Sequence, residues 1–305
     1  MRHLWCALAL LTLVPASSSC GTPASSQSAP ISETQPTPGH AQPEEYPQPI
    51  DKIFVDGDSL SYNGFEVVKL EKKVKYYYPP EMKSPPELID TSYAVLKKNG
   101  RVLTKFDGVY HGVGNATDFG LFSFLGGSEK QLAVSLTVQR GGRHWVVDLS
   151  SSARGIFDSG DYGVGREELS VIDIDKDGVY EISLSLTEFY MFENIHTAET
   201  PLPEIIFKYD RGAKKYIPAN PSFQSYVLRG IEDQVNHLTP NEENGYLSKR
   251  LGIVLRYIYA GKEKEAWDFF DREYRLPDKG QMKSKIKAVL RNEGAYKYIY
   301  GKRAT

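Results

Sequence analysis

The sequence predicts an α+β protein with segregated parts: an antiparallel all-β domain, either a sandwich or a propeller-like array of sheets, followed by an α-helical domain. Between residues 50 and 218, short runs rich in Val, Ile, Tyr and Phe alternate with turn residues, which is typical of strands joined by hairpins. From residue 223 onward the apolar residues recur with a helical period. The 305 residues are 40% hydrophobic and 25% charged, a composition typical of folded proteins.

Residues 1–19 have the layout of a secretory signal peptide. Arg2 and His3 precede an apolar run from Leu4 to Val14. This run is too short for a membrane-spanning helix, which takes about 20 residues. We therefore expect export of the mature chain.

The pair Cys20-Gly21 resembles the lipobox of bacterial lipoproteins, although Ser17 stands where that pattern usually has Leu. The resemblance implies that Cys20 is lipidated, becomes the mature N-terminus and anchors the chain to a membrane of the bacterial cell envelope. Ordinary cleavage after Ala16 is the alternative, and it would leave Cys20 as an exposed thiol in an oxidising compartment.

Residues 20–49 are predicted to be a disordered tether. Residues 21–49 contain seven prolines and only two sizeable apolar side chains, Ile31 and Tyr46, so they cannot bury enough surface to fold. In the polyproline conformation such a segment reaches roughly 90 Å, at ~3.1 Å per residue.

Residues 50–218 are assigned to the β domain, and three hairpins are predicted within it. Two-residue turns rich in Gly and Asn are the strongest short-range hairpin signals. The predicted pairs are 93–98 with 101–106 around Asn99-Gly100, 131–139 with 144–149 around Gly141-Gly142, and 204–209 with 214–217 around Arg211-Gly212.

Residues 219–305 are assigned to the helical domain, with helices predicted over 223–238, 246–260, 262–275 and 280–292. Tyr257, Gly261, Ala266 and Phe270 have a spacing that resembles the centre of a tetratricopeptide repeat. Repeat solenoids need about three units to bury a continuous core, and the sequence contains one. We therefore expect an αα-hairpin packed against the β domain.

Three aspartates at alternate positions form the sharpest motif in the chain: Asp173, Asp175 and Asp177. Strand alternation would place them on one face, where like charges ~4 Å apart repel by about 4 kcal/mol at an effective dielectric of ~20. A divalent cation removes that cost. Oxygen ligands without nearby His or Cys favour Ca²⁺, and Gly178 allows a turn that would bring the carbonyl of Val179 to the ion.

This segment is similar to the D-x-D-x-D-G-x-x-[DE] calcium loop of integrin-type and VCBS-type β repeats. The resemblance implies that Glu181, at the ninth position, supplies the last carboxylate. Leu184 occupies the twelfth position, where an EF-hand has Glu, so an EF-hand is excluded. A solvated acidic turn is the alternative. On either interpretation, the loop braces the fold rather than performing a reaction.

The segment Gly57-Asp58-Ser59-Leu60-Ser61 resembles the nucleophile block of GDSL esterases. The resemblance implies Ser59 as a nucleophile, activated by a histidine and an acid. The partner blocks depart from the family pattern: residues 112–115 are followed by Ala116 instead of Asp, and Asp233 and His237 are one residue too far apart. We therefore expect a non-catalytic binding or structural module, with a tethered esterase as the alternative.

Charge is distributed unevenly along the chain. Residues 240–305 carry 15 basic and 9 acidic residues, whereas the preceding residues carry 22 and 30. The basic residues and tyrosines between Lys279 and Arg303 are consistent with an anionic partner such as nucleic acid, acidic lipid headgroups or cell-wall polymer, or with a solvated helix face and an ordinary tail. Export argues against nucleic acid.

Overall fold

The computed structural model describes residues 47–50, 52–77, 83–108, 116–138, 141–165, 169–239 and 245–301. The predicted signal peptide, Cys20 and nearly all of the tether lie outside these ranges. Within them, no helix is long and apolar enough to cross a membrane.

The β part contains three antiparallel sheets of four strands, each with its strands in chain order. Sheet 1 consists of β1 (Ser59–Tyr62), β2 (Phe65–Tyr76), β3 (Glu87–Lys98) and β4 (Arg101–Phe106). Sheet 2 consists of β5 (Ala116–Phe122), β6 (Gln131–Val138), β7 (Gly141–Asp148) and β8 (Arg154–Asp158). Sheet 3 consists of β9 (Ser170–Ile172), β10 (Glu181–Ser185), β11 (Glu204–Asp210) and β12 (Lys215–Pro218).

The predicted hairpins around Asn99-Gly100 and Arg211-Gly212 are confirmed. Asn99 and Gly100 have φ of 52° and 77°, the left-handed backbone that a type I′ turn requires. The predicted hairpin between 131–139 and 144–149 is also confirmed, because β6 pairs with β7. The prediction that Gly141 and Gly142 form its turn is wrong, because both lie within β7. A Cβ atom on Gly142 would lie 2.6 Å from the carbonyl oxygen of Gly165, so this glycine permits close packing.

The helical part follows β12, as the sequence predicts. It consists of α1 (Gln224–Val227), α2 (Ile231–Asn236), α3 (Tyr246–Tyr259), α4 (Glu263–Glu273), α5 (Lys279–Leu290) and α6 (Gly294–Gly301). The helix predicted over 223–238 is interrupted at Gly230, which has φ of 67°. Helix α6 was not predicted, because only eight residues form it.

Sheet 2 packs against a different neighbour on each of its two faces, as the residues of β6 show. Leu132, Val134 and Leu136 belong to a core cluster shared with sheet 1, whereas Ala133 belongs to a cluster shared with sheet 3 and the helices. Alternate residues of a strand point to opposite faces, so sheet 2 is covered on both sides. The described residues therefore form three consecutive antiparallel sheets, with sheet 2 covered by sheet 1 on one face and by sheet 3 and the helices on the other.

Sheet 3 is also covered on both faces, which decides the environment of the acidic loop. Ile182 and Leu184 of β10 lie in the cluster shared with sheet 2. Ile206 of the neighbouring strand β11 packs instead with Phe223 and Tyr226 beside α1. Every residue of β10 is consequently buried, including Glu181.

Candidate metal centre

The acidic loop connects β9 to β10 and lies at the end of sheet 3. Strand β9 ends at Ile172 and β10 begins at Glu181, so the aspartates occupy a turn. The prediction that strand alternation brings them together is therefore wrong. Lys176 and Gly178 have φ of 58° and 80°, and these left-handed conformations reverse the chain.

Aspartate side chains hold the turn in shape. The Oδ1 atom of Asp173 accepts a hydrogen bond from the Asp177 amide, and its Oδ2 accepts one from the Gly178 amide, both at 3.1 Å. Asp177 Oδ1 accepts one from the Val179 amide at 2.8 Å. This last bond, together with the nearby Lys208 ammonium, lowers the pKa of Asp177.

The turn brings three carboxylates together. One oxygen each from Asp173, Asp175 and Asp177 lies within 4.8 Å of the other two. A carboxylate oxygen has two lone pairs, so the oxygens that accept turn hydrogen bonds can still coordinate a cation. These three sequence-predicted residues therefore form one oxygen-rich cluster. The backbone amide of Val179 also belongs to the turn.

Glu181 is the buried member of the site, with 0% of its surface exposed. Its Oε2 accepts a hydrogen bond from the Ile174 amide at 2.9 Å, whereas its Oε1 has no hydrogen-bond partner among the described residues. Burial raises the pKa of Glu181 to about 7, and the charges of Asp175 and Asp177 contribute to the rise. A buried carboxylate oxygen without a donor costs free energy, and a cation would remove that cost.

Lys208 is the site residue that sequence reasoning missed. Its Nζ donates to Asp175 Oδ2, lies 3.4 Å from Asp177 Oδ2 and 3.8 Å from Glu181 Oε1. Burial lowers the pKa of Lys208, but the hydrogen bond and charge of Asp175, followed by the other two carboxylates, outweigh it, so the pKa is raised. The ammonium is thus the cation that faces the cluster.

Cross-strand register explains how Lys208 reaches the loop. In the β10–β11 pair, Ile182 is opposite Phe207, so the next pair along is Glu181 and Lys208. Directly opposite residues of an antiparallel pair point to the same face. The usable sequence signal was this register, but it requires the pairing of strands more than 20 residues apart.

The frame around the loop is fixed by contacts with sheet 2 and the core. The Tyr180 amide donates to the Phe124 carbonyl at 2.9 Å, and the buried Tyr216 hydroxyl donates to the Tyr180 carbonyl at 2.9 Å. A Cβ atom on Gly126 would lie 2.6 Å from the Gly178 carbonyl oxygen. The loop is therefore held in place on the side facing sheet 2.

These groups fit a hard divalent cation. The donor set is four carboxylates without an imidazole or thiolate, the chemistry that Ca²⁺ prefers over transition metals. The buried Glu181 Oε1, which accepts no hydrogen bond among the described residues, is a second observation beside the clustering of the aspartates.

Ser59 has a different environment from a hydrolase nucleophile. It is exposed and begins β1, where it pairs with Val68 of β2, whereas the esterase family places a helix after the serine. Residues 112–115, the candidate partner block of that family, lie outside the described ranges.

The three histidines within the described ranges have other partners. The hydrogen bonds join His144 Nδ1 to Ser135 Oγ at 2.9 Å, His196 Nδ1 to the Ala198 amide at 3.3 Å, and His237 Nδ1 to the Asp233 carbonyl at 2.6 Å. In the candidate pair, the His237 ring is thus hydrogen-bonded to the backbone carbonyl oxygen of Asp233, four residues earlier in the chain.

The basic C-terminal segment makes contacts within the helical part and with the connection between β10 and β11. Lys283 pairs with Asp271 at 2.7 Å, and Lys285 pairs with Glu193 at 2.6 Å. Lys287 Nζ lies 4.9 Å from the centre of the Trp267 ring. These three cations therefore contribute to internal packing.

Comparison of the chain with family models, curated proteins and solved structures gives no match. The site is therefore interpreted from its own residues and geometry.

Proposed function

We propose that the chain is an exported, lipid-anchored bacterial envelope protein, a non-catalytic binding or structural module whose β part is braced by one Ca²⁺. The observation that carries the calcium proposal is the buried Glu181 oxygen that accepts no hydrogen bond among the described residues, beside the clustered carboxylates of Asp173, Asp175 and Asp177. The bound ion would join the turn to the first residue of β10.

Calcium bound here would stabilise the fold by mass action. Extracellular calcium modules have Kd of about 10⁻⁴ to 10⁻³ M, so millimolar calcium exceeds Kd by up to about tenfold. Binding only to the folded state then stabilises it by at most ~1.4 kcal/mol. We expect a rise in melting temperature of roughly 2 to 6 °C.

Thermal unfolding tests this proposal directly. The melting temperature is compared in millimolar CaCl₂, millimolar MgCl₂ and excess chelator, for the wild type, Asp175→Ala and Asp58→Ala. Asp58 is an exposed aspartate ahead of β1 and serves as the matched control. Mg²⁺ should do less, because it requires a smaller octahedral shell and dehydrates reluctantly.

The expected result is a calcium-dependent rise in the wild type and in Asp58→Ala, with most of it lost in Asp175→Ala. An equal rise in Asp175→Ala, or none in the wild type, would leave the solvated acidic turn as the explanation.

The proposed anchor is tested separately at Cys20. Wild-type protein should fractionate with membranes and carry lipid, whereas Cys20→Ala should release unlipidated protein into the periplasm or medium. A soluble wild-type protein with Ser17 as its mature N-terminus would contradict the anchor. Capture from envelope extract with the tethered protein as bait would identify an envelope-protein or cell-wall partner.

A further inference from the structure

We infer that Lys208 is a built-in counter-cation that calcium must displace, so that this one side chain sets the calcium affinity of the loop. The inference rests on the proposed calcium function and adds a regulation of the same site. It follows from the placement of the ammonium group against three of the four carboxylates.

The first step is the overlap between the ammonium and the proposed ion. Lys208 Nζ donates to Asp175 and lies 3.4 Å from Asp177 Oδ2. It is also 3.8 Å from Glu181 Oε1, beyond hydrogen-bond distance. Because like charges repel steeply at such distances, the ammonium and a divalent ion cannot share these oxygens.

The second step is that the lysine satisfies the cluster incompletely. A compact ammonium offers three donors, and in this arrangement Glu181 Oε1 remains without a hydrogen bond. Calcium takes six to eight oxygen ligands and would use that atom. The Lys208 ammonium and calcium are therefore alternative cations for the same carboxylates, and calcium needs more oxygen ligands than the ammonium has donors.

The third step is that the Lys208 side chain can move away from the carboxylates into solvent. About 32% of its side chain is exposed, and its Nζ lies 5.5 Å from the centre of the Phe223 ring. Rotation about its four-carbon stem would carry the charge into solvent without moving β11. Displacement consequently costs the ion pairs of Lys208 and leaves the strand intact.

Equilibrium dialysis with radioactive calcium tests the inference on the full-length protein. The variants are Lys208→Met, which keeps length and removes charge, and Lys208→Gln as a second neutral variant should the first fold poorly. Lys215→Met is the control, because Lys215 is an exposed lysine of the adjacent strand β12. Circular dichroism of each variant, with and without calcium, reports folding.

We expect Lys208→Met to bind calcium roughly ten- to a hundredfold more tightly than the wild type. This range corresponds to the typical strength of a charged hydrogen bond. Lys215→Met should stay within about twofold of the wild type, because exposed charges are screened by salt.

The outcomes separate the inference from the proposed function. If the wild type binds calcium and both neutral variants bind with equal or lower affinity, the inference is wrong while the calcium function stands. If only the neutral variants bind at millimolar calcium, the inference holds and the calcium function of the wild type is overturned. If none binds, both are overturned.

Discussion

Two buried glutamates, one in the β part and one in the helical part, show what separates a structural carboxylate from a candidate ligand. Glu293 is 2% exposed and Glu181 is 0% exposed. Burial raises the pKa of both. Neither the burial of the two side chains nor the direction of their pKa shifts therefore distinguishes them.

Their hydrogen bonds differ. Glu293 Oε1 accepts from the Ala295 amide at 2.6 Å. Its Oε2 accepts from the Tyr296 amide at 2.5 Å and from the buried Tyr259 hydroxyl at 2.9 Å. Glu181 receives one hydrogen bond, from Ile174, and its second oxygen faces Lys208 without one.

The difference has a physical meaning. Glu293 satisfies free amides at the N-terminus of α6, so both of its oxygens accept hydrogen bonds that serve the fold. Glu181 keeps an oxygen available among other carboxylates. The proposed cation site therefore rests on an oxygen that lacks a hydrogen bond next to clustered like charges, and burial by itself would not support it.

The largest expected effect follows from removing the structural carboxylate. Glu293→Ala leaves a buried tyrosine hydroxyl and two amides without their acceptor, so we expect the free energy of unfolding to fall by about 3 kcal/mol. Urea unfolding should show the same loss in calcium and in chelator. Glu265→Ala, at an exposed position of α4, is the control. A loss of unfolding free energy below about 1 kcal/mol, or a loss that differs between calcium and chelator, would show that Glu293 is not a purely structural carboxylate.

A smaller effect is expected when the free energy of unfolding of the calcium-free protein is measured as a function of pH. Folding raises the pKa of Glu181 from 4.5 to about 7, so the folded state binds the proton more tightly than the unfolded state. Stability from this group is therefore fully present below pH 4.5 and is lost as pH rises through 7, by roughly 2 to 3 kcal/mol. Glu181→Gln should lack this loss.

Urea unfolding in chelator between pH 4.5 and 8 measures the difference between the wild type and Glu181→Gln. A difference that does not change with pH would show that Glu181 is not held in a costly buried environment. The premise that Glu181 is a buried carboxylate with an unsatisfied oxygen would then fail.

The same comparison shows what the sequence could predict. The order of strands and helices follows from hydrophobic period, and the Asn99-Gly100 hairpin follows from local turn chemistry, because both signals lie within a few residues. The convergence of Asp173, Asp175 and Asp177 was predicted as well, although a hydrogen-bonded turn produces it instead of strand alternation.

The rest depends on distant parts of the chain. The burial of Glu181 requires helices on the second face of sheet 3, and the approach of Lys208 requires the β10–β11 register. The N-terminus of helix α6 is capped by Glu293, and its eight residues are too few to show a clear helical period. Tertiary packing decides these features, so local patterns do not reveal them.

The central claim is that the carboxylates around Glu181 hold one calcium ion. Crystals grown in millimolar CaCl₂ and measured at a long X-ray wavelength test this claim through the anomalous signal of calcium. We predict one peak among Asp173, Asp175, Asp177 and Glu181, with oxygens at about 2.3–2.6 Å and Lys208 turned away. An absent peak, with Lys208 still bonded to Asp175, would contradict it.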